Sequence, residues 1–544
     1  MRRGKIKILR KTHISLIISL LLIILNASVW GQTIEIRTHP ISYDNDEDLK
    51  NSILYEESIT QTFSYPSHLP IYDYTIVNIA SADFIAGLND IGQVVGKYSN
   101  HACLWNSVQD NPTRIDLGTL GGSTSEAYQI NNKGVIIGLS QIPPFYKRAF
   151  VVNPEDTNND GMPDVWYRDS NGDGKNDLMQ NLGFIRFNYD GSIPWAITAY
   201  DINDHGEIVG KQHYWKGSST QASLAFKVSP IDSDLDGNPD IWYQDSNGDG
   251  KNDLMQELPA LGLDPFNSNI YRDCAMARSI NNAGIIVGSS FVDYGSCYDR
   301  AVYWDQNGVH DLGSWVLDGV SVAYAINDQN QIVGYSQVYY TQSDTRTSSA
   351  FLWDQENGMI DLGVLQRESG TITTCDSVGF DINNKGQIIG LCTVGDDVRT
   401  LYYFLLIPLD TNQDGHPDTW YSNSSGLPQM LGINDLMIKI QHVPGLSILY
   451  SVFYLNNKMQ MTGTYTSYDA VYYCVLIPHK LGDVNHDDVV NFDDIDPFVA
   501  AIGTTEYTFQ MLYPSWRWHA ADCNRDGFVD FADIDLFIGL LCNN

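Results

Sequence analysis

One nine-residue phrase recurs along most of this chain and limits what it can fold into. It first reads Leu88-Asn89-Asp90-Ile91-Gly92-Gln93-Val94-Val95-Gly96, and near copies start at Ile130, Ile202, Ile280, Ile326 and Ile382. A worn seventh copy, LNNKMQMTG, starts at Leu455. Each copy is an apolar strand end, a four-residue polar turn that usually closes on Gly, and a second strand of β-branched residues, which is a hairpin pattern. The Asn can bond its own backbone within the turn, and the Gly takes a positive φ that other residues resist.

Further strands follow each hairpin. A third is read at His101, Arg148, Leu224, Arg300, Ser349, Leu401 and Val471, and a fourth often carries Asp-Leu-Gly, as at Asp116, Asp311 and Asp361. Where insertions intervene, Leu182-Gly183, Leu261-Gly262 and Leu431-Gly432 remain as its trace. Four strands per unit at a minimum spacing near forty residues is the period of a propeller blade. The seventh unit has no fourth strand of its own, and the unpartnered segment Tyr74 to Ile79 ahead of the first unit is free to supply it. The expected fold is therefore all-β: a seven-bladed β-propeller closed by its own N-terminal strand, which removes exposed sheet edges. A small α-helical EF-hand-like domain is expected behind it.

The wording of the repeats resembles the HAF family of extracellular repeats. Asp116 to Gly122 reads DLGTLGG, and His101-Ala102-Cys103-Leu104-Trp105 departs by one residue from the family's His-Ala-Phe phrase. The resemblance covers roughly residues 74–478 and implies a secreted or surface protein with no particular activity.

The start of the chain agrees with that location. Basic residues up to Lys11 precede an apolar run from Ile14 to Leu25, which is a secretory signal peptide expected to be cut after Gly31, the alternative being a retained anchor. No later stretch approaches spanning length, so no membrane span is expected after cleavage. Residues 32–70 read as an acidic, loosely ordered lead-in. The propeller takes 71–478, with insertions at 153–180, 229–256 and 408–428, and a separate domain takes 481–544.

The insertions share one plan. The first carries Asp156, Asn158, Asp160 and Asp164, then Trp166-Tyr167, then Asp169, Asn171, Asp173 and Asp177. The second repeats it with Asp232, Asp234, Asp236 and Asp240, Trp242-Tyr243, and Asp245, Asn247, Asp249 and Asp253. The third keeps Asp410, Asn412, Asp414 and Asp418 with Trp420-Tyr421, and its second loop has decayed. Calcium takes six to eight oxygens around a compact turn, and oxygen-bearing side chains at positions 1, 3, 5 and 9 with Gly at 6 supply them. Zinc would want His or Cys. The loops resemble the calcium repeats of thrombospondin type 3, and each Trp-Tyr pair is expected to core its insertion.

The tail attaches helices to the same chemistry. Asp483, Asn485, Asp487 and Asp494 fit positions 1, 3, 5 and 12 of a twelve-residue calcium loop, although Asp488 stands where Gly is usual. Asp522, Asn524, Asp526 and Asp533 fit it fully, with Asp530 as a further contributor. Helices are expected over Ile495 to Ile502 and Ile534 to Leu541. These paired units resemble a type I dockerin, which implies a cohesin-like partner. The two loops start 39 residues apart, wider than the family's spacing, and Trp516-Arg517-Trp518 lies between them. Up to seven Ca2+ ions are expected in all; their 14 charges would bring the formal net charge from −34 to −20.

That acidity argues against nucleic acid as a partner, since a phosphate backbone would be repelled. Eight cysteines in an exported chain are compatible with disulfides. Cys375 and Cys392 are placed to face each other across a hairpin; Cys274 with Cys297, and Cys523 with Cys542, flank other elements. Cys103 and Cys474 occupy equivalent strands of the first and last blades, either meeting at the ring seam or buried as thiols. No nucleophile elbow, paired metal-binding histidines or phosphate-binding loop is legible. Two functions stay open: a calcium-stabilised propeller that binds an extracellular glycan or cell-surface partner, or a polysaccharide-degrading propeller enzyme of an extracellular complex. A funnel lined with Ala, Tyr and Asn from the repeats favours the first, and two facing carboxylates outside the calcium loops favour the second.

Overall fold

In a computed structural model the chain is described from Tyr72 to Cys542, apart from residues 80–81, 107–111, 216–220, 263–273, 294–296, 317–318, 341–344, 364–375, 395–399, 409–419, 421–429, 433–447, 468–469, 486–488, 514–515 and 524–527. The proposed signal peptide and lead-in lie outside the described residues, as do Asp410, Asn412, Asp414, Asp418, Asp487, Asn524, Asp526 and Cys375.

Twenty-eight described strands form seven four-stranded antiparallel sheets. Strand β1 (Tyr72–Asn78) stands apart from the first blade, which is β2 (Phe84–Leu88), β3 (Val94–Tyr98), β4 (His101–Trp105) and β5 (Arg114–Gly118). The second is β6 (Ser125–Ile130), β7 (Ile136–Ile142), β8 (Tyr146–Val152) and β9 (Met179–Asn181). The third is β10 (Ile197–Ile202), β11 (Ile208–Trp215), β12 (Gln221–Val228) and β13 (Met255–Glu257). The fourth is β14 (Ala275–Ile280), β15 (Ile286–Asp293), β16 (Cys297–Asp305) and β17 (Gly308–Gly313). The fifth is β18 (Ser321–Ile326), β19 (Ile332–Tyr340), β20 (Thr345–Asp354) and β21 (Gly358–Gly363). The sixth is β22 (Ser377–Ile382), β23 (Ile388–Val394), β24 (Thr400–Leu406) and β25 (Met430–Gly432). The last blade has the order β1-β28-β27-β26, with β26 (Ile448–Leu455), β27 (Met461–Ser467) and β28 (Ala470–Lys480).

Closure therefore uses the N-terminal strand, as expected. Strand β1 pairs antiparallel with β28 from Tyr72↔Lys480 to Asn78↔Cys474 and becomes the outermost strand of a blade whose other three strands come from the far end of the chain. The first strand of each hairpin is innermost, and successive inner strands touch around the ring, β26 touching β2 at the seam.

Apolar side chains fill the seven gaps between blades. Val95 and Leu104 of the first blade meet Ile136 and Phe150 of the second, and at the seam Ile79 and Val475 meet Ile85 and Trp105. The recurring phrases find their reasons here. Gly138, in the second hairpin strand, lies under Phe150, and a Cβ at Gly138 would stand 2.7 Å from the Phe150 Cζ. The Ala before that Phe position donates its N–H across the blade gap: Ala102, Ala301 and Ala350 bond to Ser125, Ser321 and Ser377 Oγ at 2.7, 3.0 and 2.8 Å. The Asp of Asp-Leu-Gly accepts from its own Gly N–H, at 2.8 Å in Asp116, Asp311 and Asp361. One expectation needs correction: the fourth strand of the third blade is Met255–Glu257, and Leu258 rather than Leu261 takes the place of Leu182, each donating N–H to the third strand's Ala carbonyl.

Cysteine positions change the pairing picture. Opposite Cys392 stands Ser377, and the ladder continues from Asp376 to Thr393, so the sequence symmetry about the turn does not carry into a face-to-face Cys375–Cys392 pair within the described ladder. Cys103 and Cys474 do not meet at the seam: Cys103 packs between the seventh and first blades and Cys474 between the sixth and seventh. Both are buried thiols, pushed up to about 12 chiefly by burial.

The C-terminal module follows β28 directly. It holds helices α1 (Ile495–Ala501), α2 (Glu506–Leu512), α3 (Trp518–Ala521) and α4 (Ile534–Cys542) around its own core. Phe498 of α1 and Phe537 of α4 stack at 3.9 Å and 1°. The wide loop spacing is occupied by α2 and α3, which place Trp518 in that core. Among the described residues no helix is long and apolar enough to cross a membrane.

Candidate metal loops and axial channel

The insertions leave from the third strand of their blades and fold back over the hairpin turns. Trp166, Trp242 and Trp420 each bury the indole and donate Nε1–H to a turn carbonyl, of Gly134, Gly206 and Gly386, at 2.9, 2.8 and 3.0 Å. The Trp-Tyr pairs therefore divide: the Trp enters the blade-to-blade core, and Tyr167 and Tyr243 stay half exposed over Gly118 and Gly183. Asn176 and Asn252 tie each second loop to the preceding blade through Leu117 O (3.1 Å) and Leu182 O (2.9 Å).

Within the loops the carboxylates order their own backbone. Asp156 Oδ2 accepts from Gly161 N at 2.8 Å, and Asp169, Asp232 and Asp245 repeat this to Gly174, Gly237 and Gly250 at 2.9, 2.8 and 2.9 Å. Position 3 is likewise engaged: Asn158, Asn171 and Asn247 each accept from the position-5 N–H at 2.8 Å. Position 5 turns its oxygen to the N–H two residues on, from Asp160 to Met162 (2.9 Å) and from Asp173 to Lys175 (3.0 Å). Asp164, Asp177, Asp240 and Asp253, at position 9, fold back onto Thr157, Ser170, Ser233 and Ser246 at position 2. Those bonds hold the carboxyls of Asp164, Asp177 and Asp253 below the usual range. The Lys251 ammonium does the same for Asp249.

Asp232, Asp234 and Asp236 bring a carboxylate oxygen each to within 4.8 Å of one another, a spread an oxygen-seeking cation can span. In the tail, Asp483, Asp494, Asp522 and Asp533 are buried, and Asp494 reaches back to Asn485 N (3.0 Å) and Asn491 N (2.9 Å). Asp530 caps the turn before α4 by accepting from Ala532 N at 2.7 Å.

A second constellation lies on the propeller axis, where the seven turns line a cavity of about 160 Å³. The first Asn of each turn accepts its own turn's N–H groups, as expected, and also donates to the next blade. Asn89 Nδ2 reaches Asn131 O, Asn131 reaches Asn203 O, Asn203 reaches Asn281 O and Asn281 reaches Asn327 O, all at 3.0 Å. Asn327 to Asn383 and Asn383 to Asn456 follow at 3.0 Å, and Asn456 to Asn89, at 2.9 Å, closes the circle.

The residue after each Asn makes another ring, in the order Asp90, Asn132, Asp204, Asn282, Asp328, Asn384, Asn457. Each accepts the backbone N–H of its predecessor, as when Asp90 N donates to Asn132 Oδ1 at 2.9 Å. The carboxylates and amides alternate because each Asp Oδ2 then accepts from the Asn Nδ2 on both sides. Seven is odd, so one like pair is unavoidable, and it is Asn384–Asn457.

Deeper in the channel, Asp201 Oδ2 accepts from Ile280 N and Asp381 Oδ2 from Leu455 N, at 2.9 and 2.8 Å, each bracing the next blade. Burial pushes Asp201 up to about 6 and Asp381 up to about 7. Beyond them a collar faces the axis: Tyr128, Tyr200, Arg278, Tyr324 and Phe380 occupy the residue skipped by the register at successive inner strands. Phe453 takes the same place in the last blade, and in the first blade the place falls to the buried Ala86. A bulge leaves its extra residue out of the ladder and re-aims it. These positions carry a fixed sequence signal, two residues before the turn's apolar residue, which the turn-centred reading passes over.

A family model described as "Protein of unknown function (DUF3466)" matches residues 241–400. No curated protein matches the chain. Among solved structures, it is similar to the β-propeller domain of the trilobed protease from Pyrococcus furiosus, described as having an open velcro topology, at 8% identity and TM-score 0.35, covering 73% of this chain and 96% of that one. It is also similar to Trypanosoma rangeli sialidase, at 10% identity and TM-score 0.31, covering 74% of this chain and 59% of the sialidase. The endo-arabinase of Bacteroides thetaiotaomicron matches at 10% identity and TM-score 0.20, covering 65% of this chain and all (100%) of the enzyme. Likeness at this level carries no activity over.

Proposed function

We propose that this protein is an exported, calcium-loaded propeller that binds an extracellular glycan or surface partner through its ring and is docked through its C-terminal module. The observation that carries the reading is the donor set of the loops: oxygen ligands alone, with Asp232, Asp234 and Asp236 already converged and the position-1 carboxylates held by backbone N–H groups. Asp156, Asn158, Asp160 and Asp164 would hold one ion, and the sets starting at Asp169, Asp232, Asp245, Asp483 and Asp522 one each. A bound cation would supply the charge that lets the carboxylates in one loop stand together.

The C-terminal module supports a docking role. Phe492 and Phe531 hold the same place before α1 and α4 and are both 80% exposed, and Val499 and Ile538 repeat the match on the helices themselves. A duplicated apolar face with paired calcium loops fits a dockerin-like module and a cohesin-like partner. The competing reading, a polysaccharide-degrading enzyme, has its nearest pair of raised carboxyls in Asp201 and Asp381. Both are engaged with backbone N–H groups of the following blade, which favours binding over cleavage.

Melting the full chain with and without EDTA tests the calcium reading. Chelation is expected to lower the melting temperature by about 10 °C or more, since several ordered loops lose their charge compensation. An unchanged melt would overturn it. A pull-down from the native cell exterior with full-length and tail-deleted protein separates what ring and tail hold.

A further inference from the structure

We propose that the collar side of the axial channel binds a saccharide bearing a carboxylate, with the sugar ring against the aromatic side chains and the carboxylate toward Arg278; this deepens the binding role proposed above for the ring.

Every blade contributes one residue to the collar: Ala86 in the first, Arg278 in the fourth and an aromatic residue in each of the other five. Phe84 meets Tyr128 edge-on at 6.5 Å, and Tyr324 meets Phe380 edge-on at 6.2 Å. The guanidinium carbon of Arg278 lies 4.8 Å from the Tyr324 ring centre. The five aromatic members and Arg278 remain partly exposed, and Phe453 is 36% exposed. Aromatic walls with a few convergent polar groups are the usual lining of a small-molecule site. The C–H faces of a pyranose stack on such rings without needing a charge.

Local charge then selects among sugars. The chain as a whole carries −34, yet Lys97, Lys147, Lys211 and Arg278 gather around this stretch of channel against Glu126 and Asp299, with Asp201 and Asp381, both pushed up by burial, deeper in. Lys97 is paired to Glu126 at 2.8 Å, and the Lys211 ammonium sits 5.6 Å from the Tyr200 ring centre. A cationic patch inside an acidic molecule focuses anions toward it. The Arg278 side chain is only partly buried, and a planar guanidinium matches carboxylate geometry bidentately.

Calorimetric titration of the full chain tests this, using a hyaluronan tetrasaccharide, its carboxyl methyl ester and a hexa-aspartate peptide. The acidic sugar is expected to bind, the ester at least about tenfold more weakly. Arg278→Gln is expected to lose a similar factor while melting as the parent does, and Arg278→Lys to recover part of it. Phe380→Ala is expected to weaken acid and ester alike, because it removes stacking and leaves the charge. Four results would each overturn the proposal: no binding of the acidic sugar at millimolar concentration, equal binding of the ester, equal binding by a folded Arg278→Gln protein, or peptide binding as tight as the sugar's. Retention on the native cell surface that survives Arg278→Gln would leave the broader binding role intact while this site fails.

Discussion

The Asn131 side chain carries three hydrogen bonds at a position only 4% exposed, so its replacement measures what the axial ring contributes. Its Oδ1 accepts from Lys133 N at 3.1 Å and Val135 N at 2.9 Å, and its Nδ2 donates to Asn203 O of the next blade at 3.0 Å. Asn131→Ala strands two donors and one acceptor. A buried polar group left unpaired costs about 1–3 kcal/mol. Because water can enter the neighbouring cavity and satisfy part of the set, the expected loss is about 3–5 kcal/mol in total. Asn131→Asp keeps both acceptor contacts, removes only the donation between blades, and turns a carboxylate toward a carbonyl oxygen. It is expected to cost about 2–3 kcal/mol, less than the alanine. Equilibrium urea unfolding followed by tryptophan fluorescence gives both numbers if the slope is unchanged. An Asp variant as stable as the parent would refute a contribution from the blade-to-blade bond. Equal losses for Ala and Asp would refute the turn's share.

The alternating ring makes a companion prediction: Asn132→Asp sets three carboxylates side by side and Asp204→Asn sets three amide donors side by side, so both should lower the urea midpoint, through a stability loss of about 1–3 kcal/mol each. Gly138→Ala is expected to cost about 2–4 kcal/mol by the same assay, because the added Cβ meets Phe150 and the Glu126 carbonyl. pH supplies a further check. Asp201 and Asp381 are raised to about 6 and about 7 from 3.8, so the native state prefers them protonated and their contribution falls as pH climbs from about 4 to about 7. Asp381→Asn should flatten that decline in a stability–pH series, and a wild-type slope retained in the variant would contradict the assignment.

Much of the architecture is readable from the repeat because the turn and the blade core impose themselves locally. Gly134 follows from the positive φ its turn requires, Asn131 from the turn it caps, and the lone strand Tyr72–Asn78 from a unit that lacks its fourth. What stays hidden is the lateral bonding. Asn131 reads equally well as a turn residue alone, and its free amide declares a second role only when another Asn carbonyl arrives 72 positions later. The collar is hidden for a related reason: whether Tyr128 or Gln129 faces the axis depends on a bulge, and a one-residue slip exchanges the faces of a strand. The fourth strand of the third blade is misplaced because Leu-Gly at Leu261 imitates a signal that Leu258 provides without Gly. The turns of the acidic loops are legible at the level of spacing, since the Asp at position 1 and the Gly at position 6 return as the bond that closes each loop.

Native mass spectrometry of the chain tests the central claim most directly, by counting bound calcium. The account predicts several ions, up to seven, stripped by chelator and regained on adding Ca2+, with the double variant Asp232→Asn, Asp236→Asn holding one fewer than the parent. A parent mass free of calcium at millimolar Ca2+, or a variant that keeps every ion the parent holds, would contradict it.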